Sequence, residues 1–241
     1  AADFKSVITN YGLTLYKNGD PGQIDVLGKA DVLPNYFELF TPRANGASEM
    51  ILAFTHLGTP TTPSQGEELM RDFAGRTIES SQCWVSPRYE IVDRYQLTTT
   101  GDFAPAMIPM NPTTNPAART TLNSAQRTAT WNSVVSYRLK SSIMWDYEVC
   151  IGLTGLKSTG FSPFIYNTWG GSITIGGINY ITYNTDGCNS GYVFRKFVRN
   201  YEGLGRSEGD YAFPVMRLAD VFLMYAEASN EVSGPLADAI G

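Results

Sequence analysis

FPVMRLADVFLMYAEASNE, residues 213–231, carries the clearest helical pattern in the chain. Leu218, Val221, Phe222, Tyr225 and Ala228 recur at steps of three and four residues, which places them on one apolar stripe. Arg217, Asp220, Glu227, Asn230 and Glu231 fall mostly off that stripe. Pro214 suits a first helical turn, where a missing N–H costs nothing, so the helix is expected to start there. Ala226 and Ala228 leave room for a neighbouring helix. Ser233, Gly234 and Pro235 end the pattern, and Leu236, Ala237, Ala239 and Ile240 start what reads as another helix. At the other end, AADFKSVITNYGLTLY sets Phe4, Val7, Ile8 and Tyr11 on one face, with Gly12 as a C-cap. It has no secretory leader pattern. Both ends read as cut through a longer helical pattern.

Between these helices the chain is irregular. Residues 17–48 are loop-rich, with an apolar knot at Tyr36, Phe37, Leu39 and Phe40. SEMILAFTHLG (48–58) reads as a buried strand or extended segment closed by Gly58. RYEIVDRYQL (88–97) fits a short helix through Ile91, Val92 and Tyr95. Prolines break up residues 98–120. WNSVVSYRL (131–139) resembles a strand, GGSITIGGINYITYN suggests a hairpin or two, and YVFRKFVRNY reads as extended. No repeat of fixed period is present.

Bulk properties exclude several functions. The 241 residues make one large domain or two small ones, and an apolar fraction of 43% supports an ordinary core. No apolar run approaches the roughly 18 residues of a membrane span. Net charge is −5 and the 18 Lys and Arg are scattered, which argues against nucleic acid as a partner. Cys83, Cys150 and Cys188 are far apart and without metal-ligand spacing, so at most one disulfide forms and no metal site is expected. His56 is the only histidine and follows an apolar run, where a structural role is simpler than a catalytic one. Glu67/Glu68, Asp146/Glu148 and Glu208/Asp210 are the close carboxylate pairs, and each reads as a solvated surface pair rather than a glycosidase couple. GGSITIGG lacks the Lys-Ser/Thr of a phosphate loop. No cofactor is implied.

Four stretches in order resemble the SusD/RagB family, the surface lipoproteins that capture nutrients for Bacteroidetes. RLADVFLMYAEASNE (217–231) resembles that family's most recognisable helix, and GYVFRKFVRN (191–200) the segment before it. VSPRYEIVDRYQLTTTGD (85–102) is similar to its Pro-Thr-x-Glu-Leu-Val-Asp-x-Tyr stretch, and SEMILAFTHLG to its Glu-x-Ile-Phe strand. Where the family often has Arg-Asp-Pro-Arg before the Trp131 region, only Arg127 stands here. The resemblance implies a mainly α fold: TPR-type helices with a long loop-rich region and small β-strands and hairpins. It divides residues 1–241 into the end of an upstream helical scaffold (1–16), a ligand-binding region (17–212) and a TPR-type helix with the start of the next (213–241). It covers roughly the middle half of a typical member.

The resemblance further implies a non-catalytic protein on the extracellular face of the outer membrane. It would be lipid-anchored through a residue not in this chain. It would bind oligo- or polysaccharide and pass it to a SusC-like TonB-dependent transporter. The RagB branch binds peptides instead, and a glycosidase is a more distant reading. The surplus of 14 Tyr, 12 Phe and 4 Trp fits glycan capture, because a flat exposed ring stacks on the apolar face of a sugar. The family's loops near 81–89 commonly present an aromatic to ligand. Trp84 and Trp169 are therefore the expected ligand contacts, with Tyr89 and Tyr166 near them in sequence. Trp131 and Trp145 are expected to pack inside, and Arg217 and Glu227 to bond helix to helix or loop.

Overall fold

The computed structural model describes residues 1–23, 34–55, 69–74, 83–103, 136–144, 149–152, 162–166, 171–175, 178–183, 192–198 and 211–234. Their order is α1 (Ala2–Asn10), α2 (Asn35–Glu38), β1 (Met50–Thr55), α3 (Leu69–Phe73), α4 (Tyr89–Val92), α5 (Tyr137–Ser142), β2 (Ile143–Met144), β3 (Val149–Gly152), β4 (Ser162–Tyr166), β5 (Gly171–Ile175), β6 (Ile178–Tyr183), β7 (Val193–Phe194), β8 (Ala212–Arg217) and α6 (Leu218–Ser233). The fold is mainly helical, with small strands and loops between two terminal helices that touch each other, α1 and α6. Among the described residues no helix is long and apolar enough to cross a membrane.

The most recognisable helix starts later than its sequence pattern suggests. Residues 212–217 are not helix: they form β8, antiparallel to β1, with Phe54 opposite Phe213 and Ala53 opposite Pro214. A two-stranded ribbon has a free edge, and a strand edge tolerates a residue without an N–H. The helix begins at Leu218, where Asp220 Oδ2 accepts a hydrogen bond from the Arg217 N–H at 2.9 Å. It ends at Gly234, whose φ of +73° favours glycine.

A buried ion pair joins two of the family-like stretches. Glu49, at 3% exposure, lies just before β1. Its Oε1 accepts from Arg217 Nη1 at 2.9 Å, its Oε2 from the Tyr16 N–H at 2.6 Å, and its carbonyl from the Leu218 N–H at 2.8 Å. Carboxylate and backbone of one residue thus fix the entry of α6. This bears out the structural role expected of Arg217; Glu227 is exposed and makes no bond among the described residues.

Around this pair lies an aromatic core. Leu39, Phe40 and Ala44 are buried, packed with Tyr16, Tyr36, Met50 and Phe197. Phe197 meets Phe40 at 5.2 Å, Phe213 at 5.3 Å and Tyr211 at 5.4 Å between ring centroids. It holds a φ of +65°, an unfavourable backbone conformation that this packing sustains. Among the described residues the extended reading of YVFRKFVRNY therefore holds only at Val193–Phe194; the chain then turns, with the Val198 N–H bonded to the Arg195 carbonyl. A second core gathers Val92, Leu139, Ile143 and Tyr192.

Two further expectations are corrected. Residues 131–135 lie outside the described residues, and the strand expected over 131–139 is overturned at Tyr137–Leu139, which lie in a helix, Tyr137–Ser142. Ser136 Oγ accepts from the Leu139 N–H and starts it, and burial of Leu139 completes it. Strand β1 is present, but Leu52, Phe54, Val215 and Met216 on the β1–β8 ribbon are exposed rather than buried. Two strands bury only what packs against their faces, and among the described residues these four have no cover. The hairpin in GGSITIGGINYITYN is present as β5–β6, extended by β4 parallel to β6 and β3 antiparallel to β4.

Candidate functional site

The segment before α4 sets out an exposed indole next to α3. The Cys83 N–H bonds the Ala74 carbonyl at 3.0 Å and the Val85 N–H bonds the Asp72 carbonyl at 3.1 Å. Cys83 is buried, disulfide-bonded and in the left-handed region at φ +47°. Both flanks of Trp84 are thus pinned to α3, and the indole between them is 66% exposed. Arg71 of α3 places its guanidinium carbon 5.0 Å from the ring centroid, while its Nε pairs with Asp72 Oδ1 at 3.3 Å. An indole braced by a planar cation loses little freedom when a ligand stacks on it.

A second feature lies where α4 approaches α5. Ile91, Arg94, Tyr95, Gln96, Ser136 and Arg138 line an open cleft of about 360 Å³. Tyr95 packs against the second core, so that wall is fixed. Arg94 lies over the exposed Phe103 ring, 5.6 Å from its centroid. Phe103 is carried back towards this region by a tight turn: the Leu97 N–H bonds the Asp102 carbonyl at 2.8 Å, and Gly101 adopts φ +77°. Burial and then the charge of Glu90 push the neighbouring Asp93 carboxyl up from its ordinary value.

Of the expected contact residues, only Trp84 has a described side chain. Tyr89 opens α4 and Tyr166 ends β4, opposite Tyr183, with only their backbones described. Trp169 lies outside the described residues, as do Trp131, Trp145, His56, Cys188 and the three carboxylate pairs. Among the described residues no three His, Cys, Asp or Glu gather as a metal site. The cleft was not legible in sequence. Its walls come from segments far apart in the chain, one of which reads as a strand; the only local signal is a pair of arginines in otherwise apolar-patterned stretches.

Comparison with known proteins bears on the family and the fold. A model of the SusD family matches residues 9–240. A SusD-like protein from Bacteroides fragilis superposes with a TM-score of 0.56 at 14% identity, over 98% of this chain and 40% of that one. A SusD-like carbohydrate binding protein from the same organism superposes with a TM-score of 0.54 at 16% identity, over 95% of this chain and 36% of that one. The chain thus spans well under half the length of these solved relatives. No curated protein matches the sequence.

Proposed function

Because the chain belongs to the SusD family, we propose that it captures oligo- or polysaccharide without chemical turnover and delivers it to a SusC-like TonB-dependent transporter. The observation that carries this reading is Trp84, an exposed indole pinned by its backbone neighbours and braced by Arg71. Such a ring presents a rigid apolar platform, and the guanidinium beside it supplies donors for sugar hydroxyls. One superposed relative bears the description carbohydrate binding, which supports the ligand class. The disulfide at Cys83 suits an oxidising compartment and so supports a place on the cell surface, with lipid anchoring outside these residues. In this reading residues 1–241 form one SusD-like unit. The touching helices α1 and α6 belong to a TPR-type scaffold, and residues 17–212 carry the ligand region.

The test is affinity electrophoresis of the full-length protein in gels cast with a panel of polysaccharides, with Trp84→Ala alongside. Retardation in a glycan, lost in the variant, is the expected result. Retardation that survives the substitution would keep capture but remove Trp84 from the site. No retardation in any gel would overturn glycan capture in favour of peptides.

A further inference from the structure

The arginines of this protein sort into two groups. Among the described residues Arg43 pairs with Glu38, Arg71 with Asp72, Arg88 with Glu90 and Arg217 with Glu49. Arg195 is buried and engaged. Arg94 and Arg138 have no carboxylate partner among the described residues, and both line the same cleft between α4 and α5. Among the described residues no acidic side chain lines that cleft. Asp93, adjacent to Arg94 in sequence, does not neutralise it: its carboxyl is pushed up by burial and by Glu90, the reverse of what a guanidinium partner does. The charge of Arg138 reaches inward as well, helping to push the Lys196 ammonium down after burial and Arg217.

An unpaired arginine is unremarkable on a basic protein. This chain has a net charge of −5, with 23 Asp and Glu available to pair 18 Lys and Arg. Two unpaired guanidiniums facing one concave site are therefore a local exception. The remaining lining suits a sugar: Gln96 and Ser136 offer amide and hydroxyl groups, and Tyr95 and Ile91 an apolar wall. Arg94 is held in place by the Phe103 ring, which leaves its N–H edge available for a planar or tetrahedral oxyanion.

We propose that the Arg94–Arg138 cleft binds the anionic group of an acidic saccharide, a uronate carboxylate or a sulfate ester. This rests on glycan capture as the function and names the class of glycan. The neutral ring would stack at an aromatic, and the charge would be read in the cleft. Because the protein as a whole repels polyanions, retention by an acidic glycan must come from a local site.

The experiment is affinity electrophoresis of the full-length protein in gels of polygalacturonate, κ-carrageenan, neutral galactomannan and poly-L-glutamate. The variants are Arg94→Ala, Arg138→Ala, the double substitution, the charge-keeping Arg94→Lys, and Arg88→Ala as an exposed arginine outside the cleft. Retardation in polygalacturonate identifies a carboxylate, and in carrageenan a sulfate. Each alanine substitution should weaken retention by about tenfold or more, as loss of a charge-assisted hydrogen bond does. The double variant should migrate freely, while Arg88→Ala behaves as the parent and Arg94→Lys falls between. Matching thermal melts of variants and parent would tie the loss to the cleft rather than to unfolding. Retardation in an acidic glycan unchanged by the double substitution would overturn the proposal. So would retention in galactomannan alone, which would leave glycan capture intact. Retention only by poly-L-glutamate would overturn both readings in favour of an acidic peptide, and retention in no gel would overturn both outright.

Discussion

Lys196 over Phe40 and Arg71 over Trp84 are the same kind of contact in opposite surroundings. The Lys196 ammonium sits 3.8 Å from the Phe40 centroid, also within reach of Tyr36 and Phe197, inside the aromatic core beside Arg217. The Arg71 guanidinium lies 5.0 Å from a Trp84 ring that is largely open to solvent. In the core, the rings compensate a cation for lost hydration and hold helix, strand and turn together. At the surface, the cation fixes a ring whose free area has no partner among the described residues. Chemistry alone does not separate the two roles; what lies on the far side of the ring does. Helix α6 belongs to the first region through Arg217 and Glu49, so its signature pattern is a mark of architecture rather than of ligand contact.

Substitutions should part the two regions by size and by readout. The largest effect is expected for Arg217→Ala, which strands the buried Glu49 carboxylate and should destabilise by about 3–5 kcal/mol in denaturant melts. A loss under about 1 kcal/mol would make the pair incidental. Trp84→Ala should do the reverse. It should change stability by no more than about 0.5 kcal/mol but weaken glycan retention roughly tenfold to thirtyfold, about 1.4–2 kcal/mol. A clear drop in melting temperature would show that the indole belongs to the core after all.

Lys196 provides a subtler test through pH. Burial, then Arg217 and Arg138, push its pKa from 10.5 down to about 8. Between those values an unfolded chain holds more protons than the folded one, so stability rises with pH across that window; below about 8 the cost is present in full. By linkage the shift corresponds to about 3 kcal/mol at most; the ring contacts favour the charged ammonium, so they narrow the shift itself and hold the rise to about 1 kcal/mol. Lys196→Met should remove that rise, and an unchanged slope in the variant would show that another group is responsible.

The smallest effect is expected at Glu38. Burial is the largest single influence and pushes its carboxyl up, but hydrogen bonds from Lys17, Arg43 and Tyr16 together outweigh it and hold the pKa below 4.5. Its stabilisation is present above pH 4.5 and is lost as pH falls through the lowered folded value. Glu38→Gln should cost about 1 kcal/mol at neutral pH and almost nothing in strong acid. A cost that persisted in acid would assign the effect to packing.

Much of the architecture was legible because it rests on local regularities. The stripe through Leu218 and Val221 marks a helix wherever it is placed, the knot at Tyr36–Phe40 marks a core, and alternation with paired glycines marks the β5–β6 hairpin. The stretch 217–231 and its companions pointed to the SusD family on sequence alone, and a match over residues 9–240 agrees. Where reading failed, competing partners decided. Pro214 could open a helix, but Met50–Thr55 offered its neighbours a strand to pair with. SVVSYRL alternates like a strand, but the Ser136 cap and the apolar site for Leu139 turn its second half into a helix.

Exposure was beyond the sequence, since the same residue types line cores and sites. Trp84 could be named as an aromatic in a turn, but its outward position depends on hydrogen bonds from Cys83 and Val85 to α3. The Arg94–Arg138 cleft exists only because α4 and α5 meet in space. The sequence by itself determined the family, the terminal helices and the aromatic stock of this protein, because these follow from periodicity and residue type. Only the tertiary structure decided which ring is braced for a ligand and which arginines find no carboxylate among the described residues, because both depend on what distant segments bring alongside.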